Sequence, residues 1–155
     1  MNEEELKKYI SLFHGTIYRL AFSYLRNYAD AEDVCQEAFI KLYNYKGRFE
    51  SDENCKAWLI RVSVNISKNI LKSSWFLKRT ELDENIPVET DEEYELIEKI
   101  MKLPKKYRLI IHLYYFEGYS VKEISKLTGT PVSTVTTQLS RARKQLKEAI
   151  LKEGL

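Results

Sequence analysis

Apolar residues recur every three or four positions along most of this chain, the period of an α-helix, and predict an all-α fold. Leu6, Ile10, Phe13, Ile17, Leu20 and Tyr24 predict a helix over 4–26. The polar run Asn27–Asp30 breaks it, with Asp30 or a neighbour as the next cap. Val34, Ala38, Leu42 and Tyr45 then mark the apolar side of a second helix over 31–45. A loop with Gly47 follows. Leu59, Val62, Ile66 and Ile70 predict the core face of a third helix over 53–71. Periodicity is lost over 73–91, an acidic stretch with Pro87 that reads as a flexible linker, with Trp75, Phe76 and Leu77 as one short contact. Leu96, Ile97, Ile100 and Met101 predict a helix over 92–102. Leu103-Pro104 ends it, and an apolar helix over 105–117 (Leu109, Ile110, Leu113, Tyr114, Phe116), expected at the centre of the C-terminal core, runs to Gly118.

The best-defined local grammar lies in Ser120–Glu148. Ser120 and Glu123 form a capping box. Ile124 and Leu127 are the apolar side of a short helix, and Gly129 allows the left-handed exit. Thr130 and Pro131 then predict a second start, a hydroxyl cap before a first-turn proline. The next helix has Val135, Leu139, Ala142, Leu146 and Ile150 on one side and Ser133, Thr137, Ser140, Arg141 and Lys144 on the other. This is the pattern of a helix-turn-helix, whose second helix enters the DNA major groove. An ordinary helical hairpin with a solvated face is the plainer alternative. The expected organisation is a helical domain over 1–72, a linker over 73–91 and a helix-turn-helix domain over 92–155.

Charge changes the picture more than composition does. The formal net charge is +2, and 44% of the residues are hydrophobic. Residues 81–98 carry nine acidic side chains and no basic one, whereas residues 101–155 carry eleven basic and four acidic ones. A basic end on a near-neutral whole is the footprint of nucleic-acid binding. No apolar run is long enough for a membrane span, and the acidic start lacks the features of a signal peptide, so a cytoplasmic protein without membrane insertion is expected.

Two further faces carry candidate chemistry. Asp33, Gln36, Glu37 and Lys41 share one side of the second helix, with Glu37 and Lys41 spaced to pair. It is either a solvated face or a docking face, to which Phe39 and Ile40 add apolar surface. On the third helix Trp58 heads a stripe of Arg61, Asn65, Lys68 and Lys72. An aromatic-led basic and amide stripe can follow phosphates and stack bases. The alternative is a solvated face with Trp58 in the core. Phe49, an aromatic in a polar loop, is either a local anchor or a partner contact. Cys35 and Cys55 form no C-x-x-C pair, His14 and His112 are isolated, and no nucleotide-binding, zincin or hydrolase motif occurs. No metal, cofactor or enzymatic activity is expected.

Two stretches resemble the extracytoplasmic-function sigma factors of bacterial RNA polymerase: Leu12–Leu71, with DAEDVCQEAFIKLY and GRFESDENCKAWLIRVSVNISKN, and Ile100–Leu146, with LPKKYRLIIHLYYFEGYSVKEISKLTGTPVSTVTTQLSRARKQL. The resemblance implies a factor that binds core polymerase through the clamp of its largest subunit and the flap of its second-largest subunit. It implies recognition of the −35 and −10 promoter elements and help in opening the DNA. By position, Asp33, Gln36 and Glu37 would dock polymerase. Phe49 and Asn65 would border the pocket for a flipped −10 base, supported by Trp58, Arg61 and Lys68. Thr136, Thr137, Gln138 and Arg141 would read the −35 element, with Ser133, Arg143 and Lys144 near phosphates. Many relatives carry arginine where this chain has Thr136 and Gln138, which predicts an altered upstream preference, with Gln138 reading an A·T pair. An anti-sigma protein is also implied. The competing readings are a free-standing helix-turn-helix regulator and a protein-interaction module; co-purification with polymerase separates them from the first.

Overall fold

The computed structural model describes residues 1–72 and 91–152, with the side chains of 91–94 excepted. All secondary structure in these residues is helical, and they fall in two compact units. The linker expected over 73–91, apart from its last residue, and the expected contact of Trp75, Phe76 and Leu77 lie outside the described residues.

The first unit is three helices packed pairwise: α1 (Glu3–Leu25), α2 (Tyr28–Tyr43) and α3 (Asp52–Lys72). Asn2 caps α1 by accepting the Glu5 N–H at 2.8 Å, with Glu3, Glu4 and Glu5 at the positive end of the helix dipole. Arg26 ends it in the left-handed region at φ 59°, its N–H on the Phe22 carbonyl. The second helix begins earlier than its apolar period predicts. Asn27, not Asp30, is its cap and accepts the Asp30 N–H at 2.9 Å. The Tyr28 ring stacks on Phe22 at 4.7 Å and ties the turn down. Ile17, Leu20, Val34, Ala38, Leu42, Leu59 and Ile60 are fully buried and form the core. On α3 the buried stripe is wider than predicted. Val62 and Ile70 are only half-buried, whereas Ile60, Ser63, Val64 and Ser67 are enclosed, because α1 and α2 clasp α3 from two sides.

The second unit contains α4 (Asp91–Met101), α5 (Lys105–Ile111), a π-helical turn (His112–Phe116), α6 (Val121–Thr128) and α7 (Val132–Lys152). Helix α7 packs against α4, α5 and α6. Leu113, Ile124, Val135 and Ala142 are fully buried at this junction. The buried Arg108 donates from Nη1 to the Leu103 carbonyl at 2.6 Å and closes the turn before Pro104. The helix predicted over 105–117 is thus not one α-helix. Past Ile111 it widens, and the Glu117 N–H reaches back to the His112 carbonyl at 3.0 Å, the five-residue bond of a π-turn. The widening leaves Tyr115 and Phe116 exposed, although Phe116 was expected in the core; Leu96 on α4 is also exposed. Gly118 at φ 75° reverses the chain into α6.

The capping box forms as predicted: the Glu123 N–H donates to Ser120 Oγ at 3.2 Å, and the Ser120 N–H to Glu123 Oε1 at 3.1 Å. Ser120→Ala is expected to cost about 1 kcal/mol and lower the unfolding temperature of the second unit by roughly 4–8 °C. Thermal unfolding of the full chain by circular dichroism checks this; no shift would mean that the cap contributes nothing. Gly129 exits α6 at φ 71°, and α7 follows from Val132, with the Val135 N–H on the Pro131 carbonyl.

Candidate nucleic-acid interface

Helix α2 turns Asp33, Gln36 and Glu37 to solvent, on the side away from buried Val34, Ala38 and Leu42. The ion pair that spacing allowed between Glu37 and Lys41 does not form among the described residues. Phe39, expected to widen this face, is instead buried, its ring 6.5 Å from and nearly parallel to His14. Ile40 is 61% exposed and Tyr43 is 45% exposed. The face is therefore two carboxylates and an amide followed by an open apolar end. Tyr43 was missed because the apolar period was read only as core; its place three residues after Ile40 was the available signal.

The loop between α2 and α3 is held by rings. Phe49 stacks on Tyr45 at 5.0 Å and meets Trp58 edge-on at 5.9 Å. Tyr45 also contacts Trp58 at 5.0 Å, and Tyr9 of α1 reaches Phe49 at 6.4 Å. Phe49 is thus half-buried as an anchor of the loop, and Trp58 is half-buried beside it, at the head of the stripe rather than in the core. Gly47 lies against the same cluster: a Cβ there would fall 2.5 Å from the Tyr45 ring, so any side chain would require that ring to move. Lys8 of α1 pairs with Asp52 at the start of α3 at 3.1 Å. Arg61 and Asn65 are exposed and Lys68 is half-buried, along the one stripe their spacing predicted. Asn65 stands two helical turns beyond Trp58, about 10 Å along the axis. Tyr9 escaped the sequence reading because nothing local couples it to the loop.

On α7, Ser133, Thr137, Arg141 and Lys144 are exposed and follow one outer crest at spacings of four, four and three. The Thr137 hydroxyl donates to the Ser133 carbonyl and that of Thr136 to Val132, each at 3.0 Å. Each hydroxyl therefore offers lone pairs, not its proton, to a partner. Thr136 and Arg143, seven residues apart, lie on one flank of the crest, and the half-buried Gln138 lies on the other. Arg143 is engaged within the protein. Its Nε–H donates to the Tyr115 hydroxyl, and its guanidinium sits 5.2 Å and 5.5 Å from the ring centres of Tyr114 and Tyr115. The hydrogen bond to Tyr115 raises its already high pKa. Beside it, Ile111, Tyr115, Leu146 and Ile150 line an open apolar furrow.

Cys35 and Cys55 are buried and free. Burial first, with Glu32 acting on Cys35 and Asp52 on Cys55, pushes both thiols up to about 12. Raised thiols stay protonated through physiological pH and ionise only as pH climbs toward those values, which disfavours redox control through them. Native-state alkylation at pH 8 is expected to run at least about a hundredfold slower than in denaturant; comparable rates would show that the thiols are accessible and reactive. Among the described residues, no cluster of three or more His, Cys, Asp or Glu is placed to hold a metal, and no helix is long and apolar enough to cross a membrane.

Comparison with known proteins matches residues 9–76 to the family described as sigma-70 region 2 and residues 94–146 to sigma-70, region 4. The chain is 33% identical to RNA polymerase sigma factor SigV of Bacillus subtilis, over 89% of this chain and 86% of that protein. It is 30% identical to the ECF RNA polymerase sigma factor SigW of the same organism (91% and 86% covered) and to the ECF RNA polymerase sigma-E factor of Escherichia coli (78% and 74%). Among solved structures it resembles the sigma factor RpoE of Bartonella quintana, crystallised with the anti-sigma factor NepR, with a TM-score of 0.77 at 22% identity, covering 96% of this chain and 98% of that one. CnrH, solved with the cytosolic domain of CnrY, gives a TM-score of 0.69 at 22% identity, covering 98% and 90%.

Proposed function

This chain belongs to the extracytoplasmic-function sigma factors of RNA polymerase, and we propose that its exposed faces divide the family's work between them. It binds core polymerase, recognises promoter DNA and helps open it, rather than acting as a free-standing regulator. Its contribution is binding energy; the bond-making chemistry belongs to polymerase, so the chain is proposed to have no enzymatic activity of its own. One observation supports the division most: three faces of unlike chemistry are presented by two units of one chain.

Residues 1–72 dock polymerase and hold the downstream element. Asp33, Gln36 and Glu37 meet the clamp of the largest subunit, and exposed Ile40 and Tyr43 extend that contact with apolar area. Trp58, Arg61, Asn65 and Lys68 follow the unpaired non-template strand, and Phe49, fixed by Tyr9 and Tyr45, shapes the loop end of that path. An unpaired base suits this surface, because rings stack it and an asparagine amide both donates to and accepts from its edge. Residues 92–155 read the upstream element through Ser133, Thr136, Thr137, Gln138, Arg141 and Lys144. The apolar furrow of the same unit suits the flap of the second-largest subunit, and residues 73–91 tether the two units. Regulation by an anti-sigma protein is proposed because the similar RpoE of Bartonella quintana was captured with one. Polymerase as the partner puts the working protein in the cytoplasm.

Transcription in vitro with core polymerase on a genomic fragment library tests this reading. Start sites absent with core alone are expected to appear, and the aligned upstream sequences are expected to share two separated elements. No gain over core polymerase alone would defeat the reading.

A further inference from the structure

We infer that Arg143 is a positioning residue: through Tyr114 and Tyr115 it fixes how α7 is presented to DNA, and it does not neutralise a phosphate. The inference rests on the reading of α7 as the helix that meets the upstream element.

The guanidinium is engaged on its inner side, although the residue itself is exposed. It faces two rings that stand edge to face at 5.0 Å, and its Nε–H is taken by the Tyr115 hydroxyl. Two ring faces and one acceptor take up the stacking surface and the inner donor of an arginine. Direction agrees with occupancy. Arg143 follows Arg141 by two residues, so the two side chains leave the helix about 160° apart. Arg141 lies on the crest; Arg143 turns back toward the body of its own unit.

The seat it turns to is built by the π-turn. That turn is the last helical element before Gly118 and the start of the helix-turn-helix, and it also packs against α6. The Arg143–Tyr115 bridge therefore ties the lead-in of the motif to the middle of its final helix, beyond the contacts of Val135 and Leu139. Contacts to base edges need placement within about 0.5 Å. Attraction to phosphates falls off only slowly with distance and tolerates small displacements. Loosening the bridge should thus damage sequence choice more than affinity.

The experiment uses the full chain with core polymerase and promoter fragments. One readout is the ratio of transcripts from an intact upstream element to those from singly substituted ones. The other is the slope of log binding against log salt. Arg143→Lys, which keeps the charge, and Tyr115→Phe, which removes the acceptor, are each expected to shrink the ratio by roughly threefold to tenfold. Combining them should do no more than the larger single change, because they break one bridge. Arg143→Gln should shrink the ratio while leaving the salt slope unchanged. A slope shallower by about one in Arg143→Gln, with Tyr115→Phe silent, would identify a phosphate contact and overturn the inference. Equal losses on every upstream sequence, with lower thermal stability, would make Arg143 a packing residue and overturn it too. Arg141→Ala is the reference. If it leaves the ratio intact, the reading of α7 itself fails; if it alone changes the ratio, only the present inference fails.

Discussion

Reversing both carboxylates of the α2 face, Asp33→Lys with Glu37→Lys, is expected to lower capture of core RNA polymerase by about a hundredfold, from about 3 kcal/mol of lost and reversed interaction. The two lie one helical turn apart and are exposed, and among the described residues neither is in an ion pair. Among the described residues neither side chain has a partner to lose, so the thermal unfolding profile should be that of the unaltered chain. This separation makes the experiment informative: lost capture by a fully folded protein locates the docking face. Ile40→Ala should lower capture less, because it removes apolar area without adding repulsion. Undiminished capture by the double variant, measured by pull-down at moderate salt, would remove α2 from the interface.

Arg141→Ala is expected to reduce transcription from promoters with an intact upstream element by roughly tenfold to a hundredfold, the range for one arginine contact to a base pair. Capture of core polymerase should be unchanged. The effect should also disappear on a promoter whose upstream element has been scrambled, because the contact is then missing already. The structure strengthens the choice of this residue: Arg141 is exposed on the crest with no partner among the described residues, while Arg143 is held by tyrosines. The hydroxyls of Thr136 and Thr137 donate back to their own helix, so they offer a base only acceptors and a methyl group. We therefore propose Arg141 as the main candidate for guanine recognition on this helix. Loss of polymerase capture in Arg141→Ala would mean that the two units have been given each other's roles.

What the sequence made legible was local. A capping box, a glycine exit and a three-four apolar period are decided within a few residues, and Ser120, Glu123, Gly129 and the Val135–Leu139–Ala142 stripe behave as read. What it hid depends on neighbours distant in sequence. Phe39 and Ile40 are adjacent and equally apolar; only the position of α1, with His14, decides which is buried. The π-turn costs one step of helical register, and its first residues, His112 and Leu113, are buried while Tyr115 and Phe116 are exposed. No periodic count could find it, so Phe116 was put in the core. Asn27 and Asp30 are both good caps, and the ring contact of Tyr28 with Phe22 favours the earlier one. The candidate site shows the same division. The Arg61–Asn65–Lys68 stripe was legible as a spacing on one helix, whereas the ring cluster that fixes Phe49 needs Tyr9 from α1.

That cluster also gives the protein an optical sensor. The chain has two tryptophans, and one of them, Trp58, touches both Tyr45 and Phe49 at the head of the proposed strand path. An indole so placed changes its emission when a base stacks nearby or when the loop shifts. With Trp75→Phe, the remaining fluorescence would come from this one position. Engagement of the unpaired strand becomes visible in real time and without a dye, and the moment of DNA opening can be separated from the arrival of polymerase.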